Sequence, residues 1–142
     1  MAELTELEQV LPQEIEKRSF EIITQELGDR VLDEKQAPVI KRVIHTTADF
    51  DYADHLKFSE HAVEKAREAI KNGGVIITDT KMGWSGVNKK RLESYGGEAL
   101  CFMADEDVAA EAKEKGSTRA VASMDKAAAL GREAIFAVGN AP

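Results

Sequence analysis

Residues 75–78 read "VIIT", a short run dominated by β-branched side chains with no polar alternation. A strand with one wet face alternates apolar and polar residues, so an unbroken run marks a strand covered on both faces. Strands of that kind belong to parallel sheets, whose neighbours are joined by crossovers, usually helical. The flanking sequence supplies the helices. Before the run, "EHAVEKAREAIKNGG" places Ala62, Val63, Ala66, Ala69 and Ile70 on one stripe, with Ser59 as a start signal and Gly73 as a stop. After it come a loop and short helix over residues 80–95, strand-like "ALCFM", helix-like "EDVAAEAKEK" and "RAVASMDKAAAL", a stop at Gly131 and strand-like "AIFAV". Strands spaced by helices predict parallel βαβ units with right-handed crossovers.

Upstream the pattern is helical. Pro12 suits a first turn, and "QEIEKRSFEIITQEL" sets Ile15, Ile22, Ile23 and Leu27 on a stripe ending at Gly28. A second helical stretch around Pro38 carries Val39, Val43 and Ile44 up to His45, followed by an acidic, aromatic loop. The predicted fold class is α/β: a three-layer αβα arrangement with a mostly parallel sheet. At 142 residues the chain has the length of one domain, and residues 1–142 are taken as one. No long linker, low-complexity tract or internal repeat interrupts it.

Nineteen basic and 26 acidic side chains give a net charge of -7, which argues against a nucleic-acid or anionic-membrane surface spread over the whole molecule. The single cysteine, Cys101, allows no internal disulfide and lies in an apolar run, as in a reducing compartment. The first twenty residues carry acidic side chains where a secretory signal has basic ones, and no run approaches the roughly 18 apolar residues of a membrane helix. A cytoplasmic protein is expected.

In a parallel sheet, ligands sit beyond the carboxyl ends of the strands. Asp79, directly after "VIIT", stands where a site carboxylate would, and equally where a turn former would. In the next loop Gly83 and Gly86 permit close backbone approach, while Lys81, Lys89, Lys90 and Arg91 concentrate positive charge in an acidic protein. Such a patch suits an anionic partner or is an ordinary solvated helix start. No dinucleotide or phosphate-loop glycine motif follows a strand, which argues against a nucleotide site. "SMDK" at Ser123 to Lys126 matches a penicillin-binding tetrad only formally, and His45, His55 and His61 have no metal-ligand spacing. His45 alone suits a helix carboxyl terminus as well as it suits a proton donor. Thr118 with Ser117 suits a helix cap, and Arg119 beside it either a surface residue or a carboxylate fork.

Taken together and in order, "RSFEII", "RVIHTTAD", "TDTKMGWSGVNKKRL", "STRA" and "VGNAP" resemble the precorrin-8X methylmutase family, also called cobalt-precorrin-8 methylmutases, from about Ile15 to Pro142. The resemblance implies an isomerase of cobalamin biosynthesis, one that moves a methyl group between adjacent carbons of ring C of a contracted tetrapyrrole. Its product would be hydrogenobyrinic acid or, with cobalt, cobyrinic acid. It further implies no separate cofactor, and a homodimer with its pocket near the subunit interface.

Position by position, the histidine of "RVIH" makes His45 the catalytic group, donating a proton or hydrogen bond to the corrinoid ring. Ser19, Asn88 and Arg119 inherit substrate contacts. The substrate's many acetate and propionate groups give the basic patch from Lys81 through Gly86 to Arg91 a physical purpose, and Asp79 and Thr118 are placed among the substrate contacts. Met82, with Trp84, is placed against the apolar macrocycle. Asn140 is the last site position of the pattern. Trp84 and Ser85 depart from the small or differently polar residues expected there. The family's pattern also continues past "VGNAP" with a further helix and glycine-rich strand region, so later strands of the sheet fall outside these 142 residues. A non-catalytic corrinoid-binding module, one half of a split methylmutase, and an unrelated α/β scaffold for another polyanion are the competing readings.

Overall fold

The computed structural model describes residues 10–139. They cluster into two compact units that divide between Val63 and Glu64.

The first unit is helical. A 3₁₀ turn at Pro12–Glu14 leads into α1 (Ile15–Leu27), which closes at Gly28 with φ 57°. Then α2 (Ala37–Thr47) and the short α3 (Tyr52–His55) follow. Ile23 and Leu27 from α1 meet Ile40 and Ile44 from α2, and Leu32, Phe50, Tyr52, Leu56 and Phe58 close over them. The core stripe is narrower than predicted. Ile15, Ile22 and Val39 stay exposed, whereas Ile40 takes the buried place on α2. The residues that reach the facing helix are those at spacings of three and four around Ile44 and Ile23, and the predicted outliers lie off that line.

The second unit holds the sheet. The helix before it, α4 (Ala62–Lys71), begins three residues after Ser59, because His61 sits in the left-handed region at φ 57° and breaks the helical path. Strand β1 (Val75–Thr78) is central, between β2 (Ala99–Leu100) and β3 (Ala134–Ala137), and both pairings are parallel. Ile76 and Ile77 align with Ala99 and Leu100 on one side, and with Ile135 and Phe136 on the other. The crossovers are α5 (Lys81–Gly86) with α6 (Lys89–Glu93), then α7 (Glu106–Glu114) with α8 (Arg119–Ala128). Val75 and Ile77 point to one face and pack with Ala127 and Met124 of α8. Ile76, on the other face, lines a small apolar cleft of about 190 Å³ with Ile70 of α4 and Leu92 of α6. Helices therefore cover both faces of β1, and Val75 and Ile77 are each 1% exposed. Strand β2 is shorter than the predicted 99–103 run; Cys101, just past its end, is buried. Among the described residues no helix is long and apolar enough to cross a membrane.

Candidate functional site

His45 lies in the last turn of α2, its imidazole exposed. The helix runs on to Thr47 and ends where Ala48 adopts φ 55°. Thr46 and Thr47 turn their hydroxyls back onto the carbonyls of Arg42 and Val43, at 3.0 and 2.8 Å. The loop beyond is braced by amides donating to side chains, Asp49 to Thr47 Oγ1 and Asp51 to Asp49 Oδ1. What faces His45 comes from α1: the Phe20 ring stacks on the imidazole with centroids 5.3 Å apart and planes 29° from parallel. Arg42, one helical turn before His45, sets its guanidinium carbon 4.7 Å from the centroid of the same ring and pairs with Glu16 Oε1 at 2.6 Å. That hydrogen bond from Arg42 holds the Glu16 carboxyl below the usual carboxylate range. Ser19, half-buried, precedes Phe20 on α1. An open cleft of about 750 Å³ runs along α1, lined by Glu16, Lys17, Phe20, Thr24 and, from α2, Lys41.

In the sheet unit Asp79 stands at the end of β1, and the other predicted residues are spread over α5, α6 and the start of α8. Asp79 is 5% exposed, and its Oδ1 accepts the Gly139 amide at 2.9 Å, tying the chain after β3 to the end of β1. Thr80 caps α5 by accepting from the Gly83 amide, so Lys81 and Met82 project from a fixed first turn; Met82 is 87% exposed. Trp84 has a structural place that the sequence left open. Its indole N–H donates to the Ala99 carbonyl at 2.9 Å, and the Lys89 ammonium lies 4.0 Å from its ring while donating to the Trp84 carbonyl at 2.9 Å. Ser85 donates to the Lys81 carbonyl, an intrahelical bond. Asn88 caps α6 by accepting the Arg91 amide at 3.1 Å, and Thr118 caps α8 by accepting the Val121 amide at 3.2 Å. Arg119, the first residue of α8, and Arg91 are exposed. Gly86 has open space where a Cβ would stand. Asn140 lies outside the described residues.

The "ADED" segment, inspected as a strand-end loop, carries a structural lock. Lys126 of α8 binds Asp105 and Asp107, each at 2.8 Å, over the Phe102 ring. Ser123 is fully buried and donates to the Ala120 carbonyl, which rules out a Ser–Lys nucleophile pair. Among the described residues no group of three or more His, Cys, Asp or Glu is placed to hold a metal ion. Phe20 and Arg42 escaped the sequence reading. Their signal was Arg42 three residues before His45, with Phe20 beside Ser19 in "RSF".

The profile of the precorrin-8X methylmutases matches residues 14–142. The cobalt-precorrin-8 methylmutase of Priestia megaterium is 43% identical over 133 residues, covering 94% of this chain and 59% of its own length. That of Leptospira interrogans is 42% identical over 134 residues, covering 93% and 61%. The crystal structure of the precorrin-8x methyl mutase from Thermus thermophilus superposes with a TM-score of 0.81 at 40% identity, over 92% of this chain and 63% of that one. The chain thus spans about three fifths of the length of the relatives it matches. With its parallel sheet and exposed α2 histidine, and with this match along nearly all of its residues, the chain belongs to the precorrin-8X methylmutase family.

Proposed function

We propose that the chain serves methyl migration on ring C of precorrin-8X or cobalt-precorrin-8, with His45 as the group that donates to the corrinoid ring. The observation that carries this reading is the exposed His45 imidazole in the last turn of α2, reachable by a bulky ligand and fixed on one side by Phe20. The reaction is an isomerisation: one carbon–carbon bond to the methyl group breaks, one to the adjacent ring carbon forms, and no electron leaves the molecule. The protein's part is to stabilise the charge that moves through the conjugated ring as the methyl group shifts. An imidazole suits that role, since its N–H can donate to the ring as charge moves through it. The substrate's carboxylates suit Lys81, Arg91 and Arg119, with Ser19, Asn88, Thr118 and Asn140 as polar contacts and Met82 against the macrocycle. Asn88 and Thr118 spend a side-chain oxygen on their helix caps and retain hydrogen-bonding capacity for a ligand. Asp79, buried against the Gly139 amide, fixes the end of β1 from which Lys81 and Met82 follow. The cobalt form is favoured, because the relatives near 43% identity bear that name. A homodimer is part of the same reading.

The test is a visible-absorption titration with cobyrinic acid and, separately, hydrogenobyrinic acid, followed by turnover of the matching precursor. Saturable binding with turnover that His45→Ala abolishes is the expected result. Binding without turnover in the parent chain is the outcome of the non-catalytic module, and no binding by folded protein removes the corrinoid site.

A further inference from the structure

Resting on that role for His45, we propose that Phe20 is its positioning residue, an aromatic platform on α1, braced by Arg42 and Glu16, that sets the plane of the His45 imidazole. The His45 side chain is exposed at a helix end, where nothing in its own backbone restricts its second torsion, and a terminal ring torsion of that kind is broad. A general acid with a freely turning ring presents its N–H in the productive direction only part of the time. Stacking with centroids 5.3 Å apart and planes 29° from parallel removes most of that freedom by confining the imidazole to lie along the phenyl face.

The platform is itself held. Phe20 is half-buried, and the Arg42 guanidinium sits 4.7 Å from its centroid. Arg42 and His45 are three apart on α2, so a single α1 ring meets both side chains of that face at once. Glu16, one turn before Phe20 on α1, grips Arg42 at 2.6 Å and fixes the guanidinium over the ring. The four side chains form one alternating assembly across two helices: acid on α1, cation on α2, ring on α1, imidazole on α2. The cation–aromatic and ion-pair contacts are exposed and individually weak, so the assembly adds little to stability. Its consequence is orientation. The cleft along α1 is bordered by Phe20 and Glu16, so the platform stands at the edge of the space open to a ligand.

The experiment compares the full chain with Phe20→Leu, Phe20→Tyr and Arg42→Gln. Nuclear magnetic resonance of the His45 ring protons, without corrinoid, reads the stack directly, because protons over a phenyl face are displaced upfield. Phe20→Leu is expected to lose the displacement and to average the side-chain couplings of His45, Phe20→Tyr to keep both, and Arg42→Gln to weaken them. In turnover, Phe20→Leu should lower kcat roughly ten- to hundredfold with KM little changed, and Phe20→Tyr should restore it. A His45 spectrum identical in parent and Phe20→Leu overturns the proposal whatever the turnover shows. An altered spectrum with full kcat overturns the positioning role while leaving the methylmutase reading intact. A parent chain that shows the upfield displacement but no turnover counts against the methylmutase reading, and the spectra alone then decide whether Phe20 orients His45.

Discussion

Gly74 joins α4 to the central strand, and replacing it with alanine tests how tightly that junction is built. Its amide donates to the Ala69 carbonyl at 2.8 Å, and the next amide, of Val75, donates to the Glu133 carbonyl at 2.9 Å. A Cβ at position 74 would stand 2.7 Å from the Ala69 oxygen and 3.1 Å from the Glu133 oxygen. The first is inside van der Waals contact, and both atoms are backbone, so neither swings aside as a side-chain end would. Relief requires moving the end of α4 or the start of β1, at the cost of one of those hydrogen bonds. Over-packing of this kind costs about 1–3 kcal/mol, and losing a buried hydrogen bond falls in the same range. Against it, alanine stiffens the unfolded chain and returns about 0.4–1 kcal/mol. The net expectation for Gly74→Ala is a loss of about 2 kcal/mol, or roughly 6–10 °C in Tm for a chain of this size. Urea unfolding followed by far-ultraviolet circular dichroism measures it, with a lower midpoint and an unchanged slope. Gly86→Ala is the counterpart of opposite sign. Gly86 ends α5 with nothing within 4 Å of a Cβ, so only the unfolded-state and helix-propensity gains remain, up to about 1 kcal/mol. Equal midpoints for Gly74→Ala and parent, or shifts of one sign in both variants, would refute the reasoning.

Ala48→Gly should raise stability by up to about 1 kcal/mol, seen as a higher urea midpoint, since Ala48 holds φ 55° at the end of α2, where glycine carries no Cβ penalty. An unchanged or lower midpoint would show that the left-handed turn is not strained. Ile44→Ala removes a side chain 1% exposed at the centre of the helical unit and should cost about 2–5 kcal/mol, read by the same urea titration. The Lys126 lock predicts a pH dependence with a definite sign at each end. Hydrogen bonding to Lys126 holds Asp107 below its ordinary 3.8, so this contribution is present above that value and is lost as pH falls through the lowered one. Asp105 first, then Asp107, hold Lys126 above its ordinary 10.5, so its contribution is present below that value and is lost as pH rises through the raised one. Lys126→Met should flatten the stability profile at both ends, and a profile parallel to the parent's would remove the lock. Arg119→Ala should weaken corrinoid binding by about 1.5–3 kcal/mol if its guanidinium meets a substrate carboxylate, as an absorption titration would show.

The sheet was legible because "VIIT" has only one comfortable environment. Val75 and Ile77 need cover on one face and Ile76 on the other, and a strand central in a parallel sheet is where both exist. The ends of the other strands were less legible for the same reason reversed. "ALCFM" has a strand's composition, but pairing with β1 accounts only for Ala99 and Leu100, and Phe102 beyond them packs against both the β1–α8 core and the α7–α8 core. Apolar composition says that a residue will be buried; it does not say whether a ladder or a helix will bury it. Of the helix caps at Thr80, Asn88 and Thr118, only Thr118 was read as one from the sequence, although each offers a short side-chain oxygen before a helical run. A type-level signal of that kind cannot separate a cap from a ligand contact, and at Asn88 and Thr118 one side chain is available for both.

For the site the division is sharper. His45 stood out through the "RVIH" resemblance, since an imidazole in the last turn of a helix is equally favoured there by the macrodipole. Its surroundings were hidden, because periodicity assigns each residue to a face of its own helix and is silent on which residue of the other helix stands opposite. Phe20 lies one turn before the buried Ile23, at the border of the α1 stripe, and Arg42 and His45 hold the same border on α2. When Ile23 and Leu27 pack against Ile40 and Ile44, the two borders are brought edge to edge, and a ring, a cation and an imidazole meet there as a by-product of core packing. That origin carries a consequence for substitution. A change confined to the core, such as Ile40→Val, leaves all four border side chains in place yet alters the spacing of α1 and α2, so it should shift the His45 ring protons more than its small cost of about 0.5–1.5 kcal/mol in stability would suggest. Ring protons that stay fixed in Ile40→Val would show that the platform is set by the border residues alone, with Glu16 and Arg42 sufficient to hold Phe20 over His45.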